Sequence, residues 1–226
     1  MRLDQFVSQS TGMSRKEAHR CIRGKHIIVS GTIIRKSSTH VNPDDEVLLD
    51  FEPIALPGNI YIMLNKPADV VSATEDTSQP TVMGLIDHPH RHTLHVVGRL
   101  DKDTTGLILL TNDGDWSHRI TSPHHHIDKV YLATLAGPLS AEDAAKLEQG
   151  VMLRGERQPT RPAIVEILTE NQVRLTICEG KYHQVKRMFA AVENAVISLH
   201  RERIGQWALP DDLEEGDWCL LENHSF

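Results

Sequence analysis

The chain has 226 residues, 39 % of them apolar, and a net charge of −7. That is room for one large domain, or for a small and a medium one, with enough apolar material for a buried core. No apolar run is long enough to cross a bilayer, and the opening Met1-Arg2-Leu3-Asp4-Gln5 lacks the apolar core of a secretory leader. Three widely separated cysteines, Cys21, Cys178 and Cys219, argue for a reducing, cytoplasmic setting and against a disulfide framework or a zinc ribbon.

The overall charge hides an asymmetry. Residues 1–43 carry eight Lys/Arg and two Asp/Glu, a net of +6, while residues 44–226 carry sixteen and twenty-nine, a net of −13. Phosphate binding responds to the local field, so an acidic chain with a basic end is compatible with a nucleic-acid partner. In that basic end, Leu3, Phe6 and Val7 recur at helical spacing. Ser14 and Glu17 form a capping box that opens a second helix through Ala18, Cys21 and Ile22 to a stop at Gly24. Its other face carries Arg15, Lys16, Arg20 and Arg23. Two short strands, His26 to Val29 and Thr32 to Ile34, turn at Ser30-Gly31, and Glu46 to Asp50 closes the module. Residues 1–50 are thus expected to form a small basic domain, and residues 51–58, with two prolines and little periodicity, a linker.

Residues 59–226 are expected to form the larger domain. Ile60 to Leu64 reads as an apolar strand. Residues 72–93 are rich in Thr, His and Pro and predict a long excursion. Asp115 to Ile120 reads as a short helix and Lys129 to Leu135 as a strand. Ser140 caps a helix that ends before Gly150. Ala163 to Leu168 and Gln172 to Cys178 read as a hairpin, Tyr182 to Val192 as a helix and Val196 to His200 as a strand. Short strands with few helices predict an α+β fold on a largely antiparallel sheet with flanking helices.

Within this domain, His95 to Asn112 places a polar loop between two apolar runs, Val96-Val97 and Leu107 to Leu110. The loop is bounded by Gly98 and Gly106 and carries Arg99, Asp101, Lys102, Asp103 and two threonines. Rigid strands holding polar groups are how sites are usually built. A turn with a few solvated charges has the same pattern.

Gly98-Arg99-Leu100-Asp101, followed by Thr104, Gly106 and Leu107, resembles the catalytic motif of pseudouridine synthases of the RsuA/RluA class. Lys129-Val130-Tyr131 and Gly180 to Met188 resemble the second and third motifs of that family, in the same order. The N-terminal module resembles an S4 RNA-binding domain. Asn65-Lys66-Pro67 matches the way the family opens its catalytic domain. The detail of Trp116 to Pro123 is most similar to members acting on small-subunit ribosomal RNA.

The resemblance implies isomerisation of uridine to pseudouridine in ribosomal RNA, at uridine 516 of 16S RNA. It implies Asp101 as the catalytic carboxylate, Tyr131 against the target base, and Lys186 as the cation paired with Asp101. A catalytic Asp in a pocket that excludes water needs such a cation, because burial alone disfavours its charge. Arg99 is expected to fill the space the flipped nucleotide leaves. Leu175 is expected as apolar wall under the base, and Arg187 as a phosphate contact. Arg15, Lys16, Arg20 and Arg23 are expected to hold RNA phosphates and to carry little sequence information. The isomer keeps every atom and nothing is oxidised, so no cofactor is expected. The expected partner is 16S RNA within a small-subunit assembly intermediate, met by a monomer with no membrane contact. A large-subunit (23S) synthase of the same family and a non-catalytic S4-type assembly factor are the alternatives.

Other residues have plainer readings. Three consecutive residues, His124-His125-His126, do not converge on one ion in regular structure, so metal is not expected. His183 reads as structural or substrate-facing, and Asp103, Asp113 and Asp115 as turn and cap residues. A glycosidase-type carboxylate pair would have to come from Asp101 and Asp103.

Overall fold

A computed structural model describes residues 1–222, 224 and 225. The chain forms two compact units, residues 1–60 with 87–94, and residues 61–86 with 95–226.

In the first unit, α1 (Leu3–Thr11) and α2 (Arg15–Arg23) precede β1 (Ile27–Val29), β2 (Thr32–Ile33), β3 (Val47–Leu49) and β4 (Glu52–Pro53). The strands pair in the order β2-β1-β3-β4. The capping box forms as expected. Glu17 N–H donates to Ser14 Oγ at 3.3 Å, and Ser14 N–H donates to Glu17 Oε2 at 2.9 Å. Leu3, Val7, Ala18, Ile22 and Ile27 interlock as a fully buried core. This leaves Arg15, Lys16, Arg20 and Arg23 exposed along α2. Ser30 and Gly31 both take left-handed backbone conformations, whose twist suits a two-residue hairpin.

Two departures from the sequence reading concern the boundary. The stretch expected as a linker, 51–58, supplies β4, which pairs with β3. Proline is tolerated there because β4 is an edge strand. Residues Asp87–Leu94, from the predicted excursion, belong to the first unit, where His92 Nε2–H donates to Gln9 O at 3.0 Å.

The second unit is built on a nine-stranded sheet. Its elements in chain order are β5 (Tyr61–Lys66), β6 (His95–Val97), β7 (Thr105–Thr111), α3 (Gly114–Thr121), β8 (Lys129–Leu135), α4 (Ala141–Gln149), β9 (Ile164–Ile167), β10 (Gln172–Ile177), α5 (Gln184–Ala190), β11 (Val196–Ile204), β12 (Trp207–Ala208) and β13 (Trp218–Leu220). The strand order is β13-β5-β7-β11-β8-β10-β9, with β6 on β7 and β12 on β11. β7 and β11 run parallel, and the other strand pairs among the described residues are antiparallel. This is the expected α+β fold. Leu107 to Leu110 are completely buried, as a strand covered on both faces requires. α5 is shorter than expected, and β11 runs four residues past His200. The charges of Arg201, Glu202 and Arg203 conceal that extension in the sequence. No helix among the described residues is long and apolar enough to cross a membrane.

Candidate active site

The loop between β6 and β7 is held from below by two buried polar side chains. Ser72 Oγ donates to Leu100 O at 2.8 Å and accepts from Leu100 N–H at 3.0 Å. Lys66, with no exposed surface, donates to the carbonyls of Pro67, Lys102 and Thr104 at 2.9, 3.1 and 2.8 Å. Burial pushes its ammonium down to about 8, against the pull of Asp103, Asp101 and Asp69. Thr104 N–H donates to Asp101 O at 3.1 Å and closes the turn. A buried ammonium and a buried hydroxyl thus fix the backbone of the loop with four hydrogen bonds.

Asp101 faces a cleft of about 630 Å³ lined by Arg99, Lys102, Tyr131, His183 and Lys186, among others. Its carboxylate lies 3.3 Å from His183 Nε2 and 3.5 Å from Lys186 Nζ. Lys186 lies closer to Asp103, at 2.6 Å, and that hydrogen bond holds the Asp103 carboxyl below its ordinary range. The lysine is therefore shared between two carboxylates, where the sequence reading gave it to Asp101 alone and left Asp103 as a turn residue. The tight turn at 101–104 brings both carboxylates within reach of the first turn of α5. The Asp101 side chain is 28 % exposed, so the dry pocket expected around it is not formed by the protein alone.

A row of paired residues crosses the sheet beside this loop. Gly106 on β7 faces Arg201 on β11, which faces Tyr131 on β8, which faces Leu175 on β10. Arg201 is 2 % exposed. Its guanidinium donates to Leu107 O at 2.7 Å, to Gly98 O at 3.3 Å and to the Tyr131 hydroxyl at 3.3 Å. Five donors on a planar cation suit this three-way junction. Arg201 was not singled out from the sequence, since an Arg-Glu-Arg run reads as solvated charge. Gly106 is required by the row. A Cβ there would meet Arg201 O at 2.4 Å, at a φ of +99°. Burial lowers the Lys129 ammonium, and the nearby Arg201 charge lowers it further.

Two expected contacts are placed elsewhere. Leu175 is fully buried opposite Tyr131 and does not line the cleft, whose apolar wall includes Leu100, Ile177, Leu199 and Ile204. Leu175 lies on the same strand as Ile177, two residues further from the strand's end, and is covered where Ile177 reaches the cleft. The Arg187 guanidinium is engaged by Tyr182 O at 2.8 Å, Arg154 O at 2.6 Å and Glu156 Oε1 at 3.3 Å. It braces the 154–156 loop and is not presented to a phosphate. Arg99 is exposed and lines the cleft. In the first unit Arg15 is paired with Asp4 at 3.0 Å. The three histidines diverge. His126 bonds Arg161 and the His125 ring stands edge-on to His118. Among the described residues no group of three or more His, Cys, Asp or Glu is arranged to hold a metal.

The larger unit thus carries carboxylates, a shared lysine and a tyrosine in one cleft on a mixed sheet, and a small basic unit precedes it in the chain. Residues 60–191 match the family described as RNA pseudouridylate synthase, and residues 1–47 match the S4 domain. The chain belongs to the RNA pseudouridylate synthase family. It is 51 % identical, over 98 % of its length and 96 % of the relative's, to the ribosomal small subunit pseudouridine synthase A of Escherichia coli K12. It is 47 % identical over the same shares to the protein of that name in Haemophilus influenzae. A solved pseudouridylate synthase superimposes with a TM-score of 0.71 at 46 % identity, covering 98 % of this chain and 96 % of that one.

Proposed function

We propose that this enzyme converts one uridine of 16S ribosomal RNA, uridine 516, to pseudouridine, with Asp101 as the catalytic carboxylate. The observation that carries this reading is Asp101 in the cleft, held between His183 and Lys186 and facing the same space as Tyr131. The names and identities of the small-subunit relatives support the RNA.

The isomerisation breaks the C1′–N1 bond and forms a C1′–C5 bond. C5 loses a proton and N1 gains one, so no atom leaves and no electron is transferred to another molecule. A carboxylate can attack a carbon or stabilise a cationic ribose, and Asp101 has Lys186 and His183 beside it to fix its position. The target base leaves its stack to reach the cleft, with Arg99 at the opening and Tyr131 against the base. Closure of RNA over the half-open Asp101 completes the exclusion of water. The exposed Lys16, Arg20 and Arg23 of α2 supply phosphate contacts. A monomer acting on 16S RNA in a small-subunit assembly intermediate, in the cytoplasm, fits this reading.

The test is single-turnover conversion of a 16S fragment by wild type, Asp101→Asn and Asp103→Asn, with the modified position mapped. Asp101→Asn should form no detectable pseudouridine and bind RNA nearly normally. Asp103→Asn should remain active. The opposite ranking would reassign the carboxylate, and modification at another nucleotide would reassign the target.

A further inference from the structure

We propose that Tyr182 is a stacking platform for an RNA base next to the target uridine. The proposal rests on the reading of the chain as an enzyme acting on RNA. The protein is poor in aromatic side chains, with three tyrosines in 226 residues. Tyr61 and Tyr131 are buried, whereas Tyr182 is 77 % exposed. A single exposed aromatic is ordinary by itself. This one lines the cleft that holds Asp101, and it is held in place. Its ring stacks on the His183 ring with centroids 3.8 Å apart and planes inclined by 22°, and that histidine's Nε2 lies 3.3 Å from Asp101.

The backbone beneath the stack is fixed as well. Arg187 donates to Tyr182 O at 2.8 Å, Lys181 N–H donates to Gln184 Oε1 at 2.8 Å, and Gln184 N–H donates to Lys181 O at 3.1 Å. His183 sits at a φ of +48°, a conformation that costs free energy for a non-glycine residue and clusters at functional sites. The result is a pre-ordered ladder, Tyr182 on His183 on Asp101, with the outer face of the tyrosine open to solvent. An aromatic ring fixed before binding loses little entropy when a ligand covers it.

The chemistry that fits an open, rigid π-face beside a nucleotide cleft is a nucleobase. Extruding the target uridine removes a stacking partner from its neighbours. A tyrosine at the cleft replaces that contact for whichever base lies alongside, because every base has a π-face.

The experiment uses the full chain and two 16S fragments, one with 2-aminopurine on the 5′ side of the target uridine and one with it on the 3′ side. Affinity, 2-aminopurine fluorescence and the saturating single-turnover rate are measured for wild type, Tyr182→Ala, Tyr182→Phe and Tyr182→Trp. Wild type should quench one of the two probes. Tyr182→Ala should abolish that quench and weaken binding by roughly 5- to 150-fold, with the saturating rate nearly kept. Phe and Trp should restore both. Active wild type with unchanged affinity and quench in Tyr182→Ala would overturn the platform. So would a loss confined to the saturating rate, which would make Tyr182 a shield for His183 only. Wild type that forms no pseudouridine on either fragment would instead overturn the underlying reading.

Discussion

Lys186 illustrates how one side chain's partners change a prediction. Read from sequence, it is the sole counter-charge of Asp101. In the structure it is nearer to Asp103, and His183 also touches Asp101. Lys186→Met therefore leaves Asp101 with one partner, and the single-turnover rate should fall by about ten- to a hundredfold rather than to zero. Lys186→Arg keeps the charge and should stay within a few-fold of wild type, by about the margin expected of a point charge replaced by a fork. A Met variant at the wild-type rate would remove Lys186 from the site. Arg201 acts differently, because it touches Tyr131 and two carbonyls and cannot accept a hydrogen bond. The Tyr131 hydroxyl accepts from it and so directs its own hydrogen elsewhere. If Arg201 positions that hydroxyl, Arg201→Lys and Tyr131→Phe should be coupled by about 0.5–3 kcal/mol in a double-mutant cycle on the single-turnover rate. Additive effects would mean that Arg201 only packs the sheet.

At the scale of the element, the critical junction is the parallel pairing of β7 with β11. It brings Gly106 against the Arg201 backbone so closely that no side chain fits. Gly106→Ala should destabilise the protein by at least roughly 2 kcal/mol and displace the loop carrying Asp101. Gly114, at the start of α3, has nothing within 4 Å of an added Cβ. Gly114→Ala should be neutral or slightly stabilising, because alanine favours the helix. Thermal or denaturant unfolding of the two variants checks the contrast, and equal stabilities would refute the crowding argument. The loop itself depends on Lys66, whose three carbonyl partners lie on separate residues. Several backbone groups thus converge on one buried ammonium, which is why a buried charge is tolerated there.

For the whole molecule, the relevant property is the basic face of α2 on an acidic chain. Replacing Lys16, Arg20 and Arg23 together by Gln removes three exposed charges and leaves the buried face of the helix intact. The slope of log affinity against log salt for 16S RNA should fall by roughly 2 to 3 if each contacts a phosphate. An unchanged slope would place RNA binding elsewhere. Deleting residues 1–50 is a poorer test, because β4 and Asp87–Leu94 belong to the same unit and would lose their packing.

Periodicity and caps in the sequence determined most of the elements. Ser14 and Glu17, Ser140 and Gly150, and the apolar run Leu107 to Leu110 each act over a few residues, and local physics is legible locally. Resemblance to the three motifs of the family marked Asp101, Tyr131 and Lys186 as a group. Tertiary structure alone decided which charges are shared, which are buried and which are already occupied. Nothing local in the sequence marks Arg201 or Lys66 as buried, and both are buried where carbonyls from distant strands and loops meet them. Arg187 looks available and is bound to the 154–156 loop. Ile177 reaches the cleft while Leu175, two residues away on the same strand, is covered, because β-sheet register, fixed by long-range pairing, sets where each side chain emerges.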